Sequence, residues 1–172
     1  MYFMRHGQSI FNERYDLLGR DPNEPDAPLS PKGKDQARAA GMRLQDKGFV
    51  RVVASPFTRA IETALLAAEV LNLSVEIEPL IGEYRLYSCD IGSPTSALRA
   101  AWPHIDFKDF HSEDWWLPFP EKKNSLTSRI TAFRDKWDTH PDWGKTLFVS
   151  HYFFINAISD GVVPDNAEVV KV

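Results

Sequence analysis

Apolar residues come in short runs along the chain, each closed by polar or turn-forming residues. Tyr2-Phe3-Met4 is the first run and reads as a short buried strand ending at Arg5-His6-Gly7. Phe49-Val50-Arg51-Val52-Val53-Ala54 predicts a second strand, and Ser74 to Glu78, where Val75 and Ile77 alternate with acids, a third. Thr146 to Ser150 predicts a late buried strand and Val169 to Val172 a last one. Ala37, Ala40, Gly41 and Leu44 recur at helical spacing and predict a helix over 31–47. Ser30 and Pro31 supply its N-cap and first position, and Gly48 ends it. Ser55-Pro56 repeats the cap-plus-proline signature ahead of a helix from Phe57 to about Leu71, and further helices are predicted over 125–140 and 152–159. Pro22, Pro25, Pro28 and Pro31 mark residues 19–31 as a loop.

Strands that alternate with helices predict an α/β layered domain with a mostly parallel sheet. Residues 86–125 interrupt the alternation with Trp102, Phe107, Phe110, Trp115, Trp116, Phe119 and four prolines. This stretch reads as a small inserted subdomain over one edge of the sheet. The 172 residues suit a single domain, 1–172, able to bury its own core.

Composition narrows the picture. The net charge of 20 − 24 = −4 and the lack of a long basic run argue against a nucleic-acid partner. No apolar run approaches the ~20 residues that span a bilayer, so no membrane partner is expected. The lone Cys89 and an N-terminus that turns polar at Arg5 suit a cytoplasmic protein.

The candidate chemistry lies at the carboxyl ends of the predicted parallel strands, the usual ligand edge of such sheets. These ends carry Arg5-His6-Gly7, then Ser55 with Arg59 one turn into the next helix, then Ser150-His151, and a shorter segment ends at Glu83. Two arginines, two histidines and a glutamate suit a phosphate ester. Guanidinium forks match phosphate oxygens. A neutral imidazole is a nucleophile toward phosphorus, and nearby arginines keep it neutral. A second imidazole can donate to the phosphoryl oxygens, and a carboxyl can move the leaving-group proton.

Arg5-His6-Gly7-Gln8-Ser9-Ile10-Phe11-Asn12 resembles the R-H-G-x-[ST]-x-x-N opening of the histidine phosphatase superfamily, which includes the cofactor-dependent phosphoglycerate mutases. Three further blocks follow in order. Leu29 to Ala37 is similar to L-[ST]-x-x-G-x-x-Q-A, Ser55 to Ala64 to S-P-x-x-R-[AC]-x-x-T-A, and Val149-Ser150-His151 to V-[ST]-H. Cys89-Asp90-Ile91-Gly92-Ser93 and Trp102 to Phe107 look like a phosphoglycerate-mutase-like branch known from plants and fungi.

The resemblance implies a three-layer α/β/α sandwich of phosphoglycerate-mutase type. It implies His6 as the nucleophile, and Arg5, Arg59 and His151 around the phosphoryl group. Asn12 would touch the phosphate and Glu83 would be the general acid/base, with no metal and no other cofactor. Two departures favour a phosphatase of small phosphomonoesters over a mutase. The mutases carry L-N-E-R-x-Y-G where Leu80-Ile81-Gly82-Glu83-Tyr84-Arg85-Leu86 keeps only the acid, and they are longer. In a third departure, Tyr152-Phe153 follows His151 where the family has Gly. The alternatives are a phosphoglycerate mutase and a non-catalytic phospholigand-binding module.

Other polar residues have plainer readings. Ser9 and Ser30 are caps or turn formers, and Ser55 and Ser150 cap helices or support the site. Asp90 is a rival acid or a turn residue beside Gly92. Tyr84 and Arg85 are candidate substrate contacts, and Trp115, Trp116 and Phe119 are the insert residues nearest in character to a substrate wall. His104, His111 and Glu113 lack zinc-ligand spacing. Lys122 and Lys123 form a solvated turn, and Cys89 is buried and inert.

Overall fold

The computed structural model describes residues 1–107, 110–119, 121–122 and 124–172. Strands β1 (Tyr2–Arg5), β2 (Arg51–Ala54), β3 (Val75–Ile77), β4 (Thr146–Ser150) and β5 (Val169–Lys171) form one sheet in the order β3-β2-β4-β1-β5. All neighbours are parallel except β5, which runs antiparallel to β1. Helices α1 (Ile10–Leu18), α2 (Pro31–Leu44), α3 (Thr58–Leu71), α4 (Thr95–Ala101), α5 (Ser125–Trp137) and α6 (Tyr152–Ile158) complete the chain. No helix among the described residues is long and apolar enough to cross a membrane.

Side chains on successive strand residues point to opposite faces, and this alternation builds two cores. Met4, Val52, Ala54, Leu147 and Val149 face α2 and α3, which meet them with alanines. Phe3, Val53 and Phe148 face α5 and α6 through Phe133, Trp137, Phe154 and Ile155. Each fully buried large side chain stabilises the fold by about 1.5–3 kcal/mol, so the strand pattern visible in the sequence supplies much of the driving force. A third cluster packs Leu98, Ile105, Phe107 and Phe110 of the aromatic segment on Ile61 of α3, with Val75 and Ile77 of β3 alongside.

Several predicted boundaries shift. The helix predicted over 31–47 becomes a 3-10 turn at Gln45–Lys47, closed by Gly48 in the left-handed region at φ 70°. The second strand starts at Arg51, and α5 stops at Trp137 because Pro141 disfavours helical backbone at His140. α1 and α4 were not anticipated. In α1 only Phe11 is buried, so no apolar stripe marks it, and its one local signal is the capping box between Ser9 and Asn12. The Ser55-Pro56 signature is misleading. Phe57 is the N-cap of α3 and makes no side-chain cap bond. Thr58 N–H is instead accepted by Asp26 Oδ1 at 2.9 Å, from the proline-rich loop. Lys122 is exposed, as a solvated turn requires; Lys123 lies outside the described residues.

The motif blocks are knitted together through backbone groups. Gly7 N–H donates to Thr63 Oγ1 at 3.0 Å, and Gln8 N–H to Gln36 Oε1 at 2.9 Å. Gly7 and Gly33 meet backbone to backbone, so a Cβ on Gly33 would fall inside the contact distance of the Gln8 carbonyl oxygen. Gly33→Ala is therefore expected to cost about 1–3 kcal/mol or more by overpacking, read as a lower melting temperature.

Candidate active site

Parallel pairing puts Arg5 beside Ser150 at the carboxyl ends of β1 and β4, and His6 N–H donates to Ser150 O at 3.0 Å. His6 and His151 thus leave adjacent strands together, with ring centroids 5.2 Å apart. Arg59 enters from the first turn of α3. Arg5, His6, Asn12, Arg59 and Glu83 all line one cavity of about 340 Å³, with Asp90, Tyr152 and Phe153. His151 lies behind it, fully buried.

The two histidines are held by different nitrogens. His6 Nδ1 lies 2.7 Å from Gly7 O. A carbonyl only accepts, so Nδ1 carries the proton and the Nε2 lone pair is free. His151 is reversed: Nε2 lies 2.7 Å from Ser55 Oγ, and its buried Nδ1 has no hydrogen-bond partner. Burial, then Arg59 and Arg5, hold the His6 imidazole well below the usual histidine range. Burial and then Arg59 do the same for His151.

Arg5 is steadied by Pro164 O, which accepts from its Nη1 at 3.0 Å, and its guanidinium lies over the Tyr152 ring at 5.3 Å. Tyr152, at the position where the family has Gly, therefore supports the first arginine by a cation–π contact. Arg5 Nε, like His151 Nδ1, is buried and unpaired. Unpaired buried polar groups are costly, so the Arg5 Nε donor marks a place where an anion would be welcome. Asn12 lines the cavity, and its Oδ1 accepts from Ser9 N–H and Oγ.

Arg59 is anchored more deeply. Its Nη1 donates to Cys89 O at 2.7 Å and its Nη2 to Asp90 Oδ1 at 3.0 Å, with both side chains almost fully buried. The other Asp90 oxygen accepts from Leu86 and Tyr87 N–H. Asp90 is thus neither a surface turn residue nor a free acid, and its role was not legible in sequence. The only local hint was its place in Cys89-Asp90-Ile91-Gly92. Cys89 is buried, and burial pushes its thiol far above the usual range, as inertness requires.

Glu83 is half-buried on the cavity wall. Its carboxylate accepts from Tyr84 N–H at 2.8 Å and from Phe153 N–H at 3.1 Å. Arg129 of α5 fastens the segment by donating to the carbonyls of Leu80, Gly82 and Glu83. Burial first, and then the charge of Asp90, raise the Glu83 carboxyl to about 7. It can therefore give and take a proton near neutral pH.

The remaining candidates lie elsewhere. Tyr84 donates through its hydroxyl to Glu121 O, and Arg85 through Nη1 to Leu117 O. Arg85, Trp115 and Trp116 line a separate cavity of about 270 Å³ on the far side of Glu83 and Asp90, and Phe119 is exposed. Tyr15, Tyr87 and Phe153, which do line the first cavity, were missed because isolated aromatics carry no signal of where they will face.

The three-layer α/β sandwich thus gathers Arg5, His6 and His151 at its strand ends and adds Arg59 from the first turn of α3. The model for the histidine phosphatase superfamily (branch 1) matches residues 1–166, and the chain belongs to that superfamily. It is 26% identical over 172 residues to "Probable phosphoglycerate mutase GpmB" of Erwinia tasmaniensis, covering 98% of this chain and 77% of that protein. Among solved structures it is similar to "Mycobacterial hydrolase 1", with TM-score 0.67, 22% identity, and 98% and 86% of the two chains covered. A mycobacterial glucosyl-3-phosphoglycerate phosphatase complexed with VO3 gives TM-score 0.66, 20% identity, and 98% and 90% covered. At these identities the two structures speak for the fold alone.

Proposed function

We propose that the protein is a phosphatase of small phosphomonoesters that works through a phosphohistidine at His6. The observation that carries this reading is the free Nε2 of a neutral His6, at a cavity shared with Arg5, Arg59 and Glu83 and backed by His151.

In the first step the His6 Nε2 lone pair attacks phosphorus, a P–N bond forms and the P–O bond to the alcohol breaks. The Glu83 carboxyl gives its proton to the departing oxygen. Arg5, Arg59 and the Asn12 amide hold the phosphoryl oxygens. In this reading Ser55 donates to His151 Nε2 and the His151 proton sits on Nδ1, where it can donate as charge builds in the transition state. In the second step water attacks phosphorus, Glu83 takes its proton, and the P–N bond breaks to release phosphate and neutral His6. Rapid transfer from an alkyl phosphate should leave acid-labile, base-stable label on His6 in quenched-flow experiments. No label under steady turnover would overturn the reading.

Mutase activity is the second reading, favoured by the GpmB relatives. It differs only in the acceptor of the second step, and conversion between phosphoglycerates without release of phosphate would establish it.

Glu83→Gln keeps an oxygen for the Tyr84 and Phe153 N–H groups but cannot move a proton. It is expected to lower kcat/KM on alkyl phosphates by about 10²–10⁴ and on p-nitrophenyl phosphate far less, since that leaving group needs no acid. The pH profile follows from the shifts. The acid form of Glu83 is lost as pH rises through about 7, so alkyl phosphate hydrolysis should fall there. The limb set by His6 lies below the ordinary histidine range, because that imidazole must lose its proton to act. In Glu83→Gln the limb near 7 should vanish.

A further inference from the structure

The cavity has two ends of different character. Arg5, His6 and Arg59 make one. Along the rest, Phe11, Tyr15 and Tyr87 form a continuous aromatic wall. The Phe11 and Tyr15 rings stack at 5.7 Å and 24°, and Tyr87 meets Phe11 at 5.7 Å and Tyr15 edge-on at 5.5 Å. Tyr15 and Tyr87 are half-buried while lining the cavity.

Three acidic side chains stand beside this wall, of which Asp90 is already paired with Arg59 and Glu83 carries the proton for the leaving group. Asp16, Glu83 and Asp90 line the cavity, and Arg5 and Arg59 are the Lys or Arg residues among its described lining. Arg59 already spends two nitrogens on Cys89 O and Asp90. Arg85 and Arg129 line the cavity beyond Glu83 and donate to backbone carbonyls there. A leaving group with its own carboxylate would meet Asp16 and find no spare cation among the described lining. An aliphatic chain would touch the rings but gain no stacking.

We propose that the alcohol half of the substrate is an aromatic or heteroaromatic ring, stacked on one of Tyr15 and Tyr87 and edge-on to the other, while the phosphoryl group sits between Arg5, Arg59 and His6. This rests on the phosphatase reading above and goes beyond it by naming the leaving-group class. Tyr15 and Tyr87 stand 69° apart, so a ring laid on the face of one meets the other edge-on, the two arrangements that aromatic pairs favour.

The test compares 2-phenylethyl phosphate, n-butyl phosphate, phosphocholine and 3-phosphoglycerate. The first two have leaving groups of similar basicity and differ in the ring. The wild type is expected to favour phenylethyl over butyl phosphate by about tenfold in kcat/KM, and over 3-phosphoglycerate by about a hundredfold. Tyr15→Ala and Tyr87→Ala should each pull the phenylethyl-to-butyl ratio toward one. Because the ratio is taken within one preparation, partial misfolding cancels. A wild-type ratio of one or less overturns the proposal, as does a preference for phosphocholine or 3-phosphoglycerate. Label on His6 is followed in parallel. With label present, a wrong preference sinks the ring proposal alone; no label from any ester sinks the phosphatase reading with it.

Discussion

His6→Ala is expected to lower kcat/KM on every phosphomonoester by at least ~10³-fold and to abolish the acid-labile label. The stability cost should be small beside that, because the substitution removes one hydrogen bond to Gly7 O and leaves the β1–β4 pairing intact. Circular dichroism and a melting curve would separate the two effects. His151→Ala provides the contrast. The two imidazoles are 5.2 Å apart and both are buried, so proximity does not choose between them. The choice rests on protons: the Gly7 carbonyl holds the His6 proton on Nδ1 and leaves Nε2 a lone pair, while the proposed mechanism places the His151 proton on its unpaired Nδ1, with Nε2 accepting from Ser55. His151→Ala should slow turnover yet still accept label at His6. Label that survives His6→Ala and disappears in His151→Ala would reverse the assignment.

Arg59→Ala is expected to damage both stability and activity. The guanidinium and Asp90 are 3% and 2% exposed. Removing the cation leaves a carboxylate buried without its partner, a defect worth about 3–5 kcal/mol. For a chain of this size that lowers Tm on the order of 10 °C. Losing one fixed donor at the phosphoryl group should also lower kcat/KM by about 10²–10³-fold. The double variant Arg59→Ala/Asp90→Asn distinguishes the causes. It should recover part of the lost Tm, since the unpaired charge is gone, and none of the activity. Equal melting temperatures for the single and double variants would mean that Asp90 does not carry the stability cost.

Much of this molecule was legible before any fold was known. Strands β1 to β5 were each anticipated to within about two residues, because alternation along a strand is local and two buried faces leave near-continuous apolar runs. Arg5, His6 and His151 stand out at the ends of parallel strands, Arg59 one turn into the helix after another and Glu83 at the end of a shorter segment, because such ends meet at one edge of the sheet. The misreadings share a cause. Ser55-Pro56 has the local chemistry of a cap, but Ser55 reaches across to His151 and Asp26 caps α3 from another loop. Ser9 does cap α1, yet the helix was invisible because it buries so little.

The sequence by itself therefore determined the α/β class, the order of the motif blocks and the kinds of side chain able to handle a phosphoryl group. These depend on periodicity and residue chemistry, which neighbours along the chain dictate. The tertiary structure alone decided which nitrogen of each histidine is free, that Asp90 is the buried partner of Arg59, that Glu83 sits beside a second acid and takes up a proton near neutral pH, and that Tyr15 and Tyr87 share a wall. Those are properties of distance and burial between residues far apart in the chain, and the field at a buried group is the sum over whatever folding has brought near it.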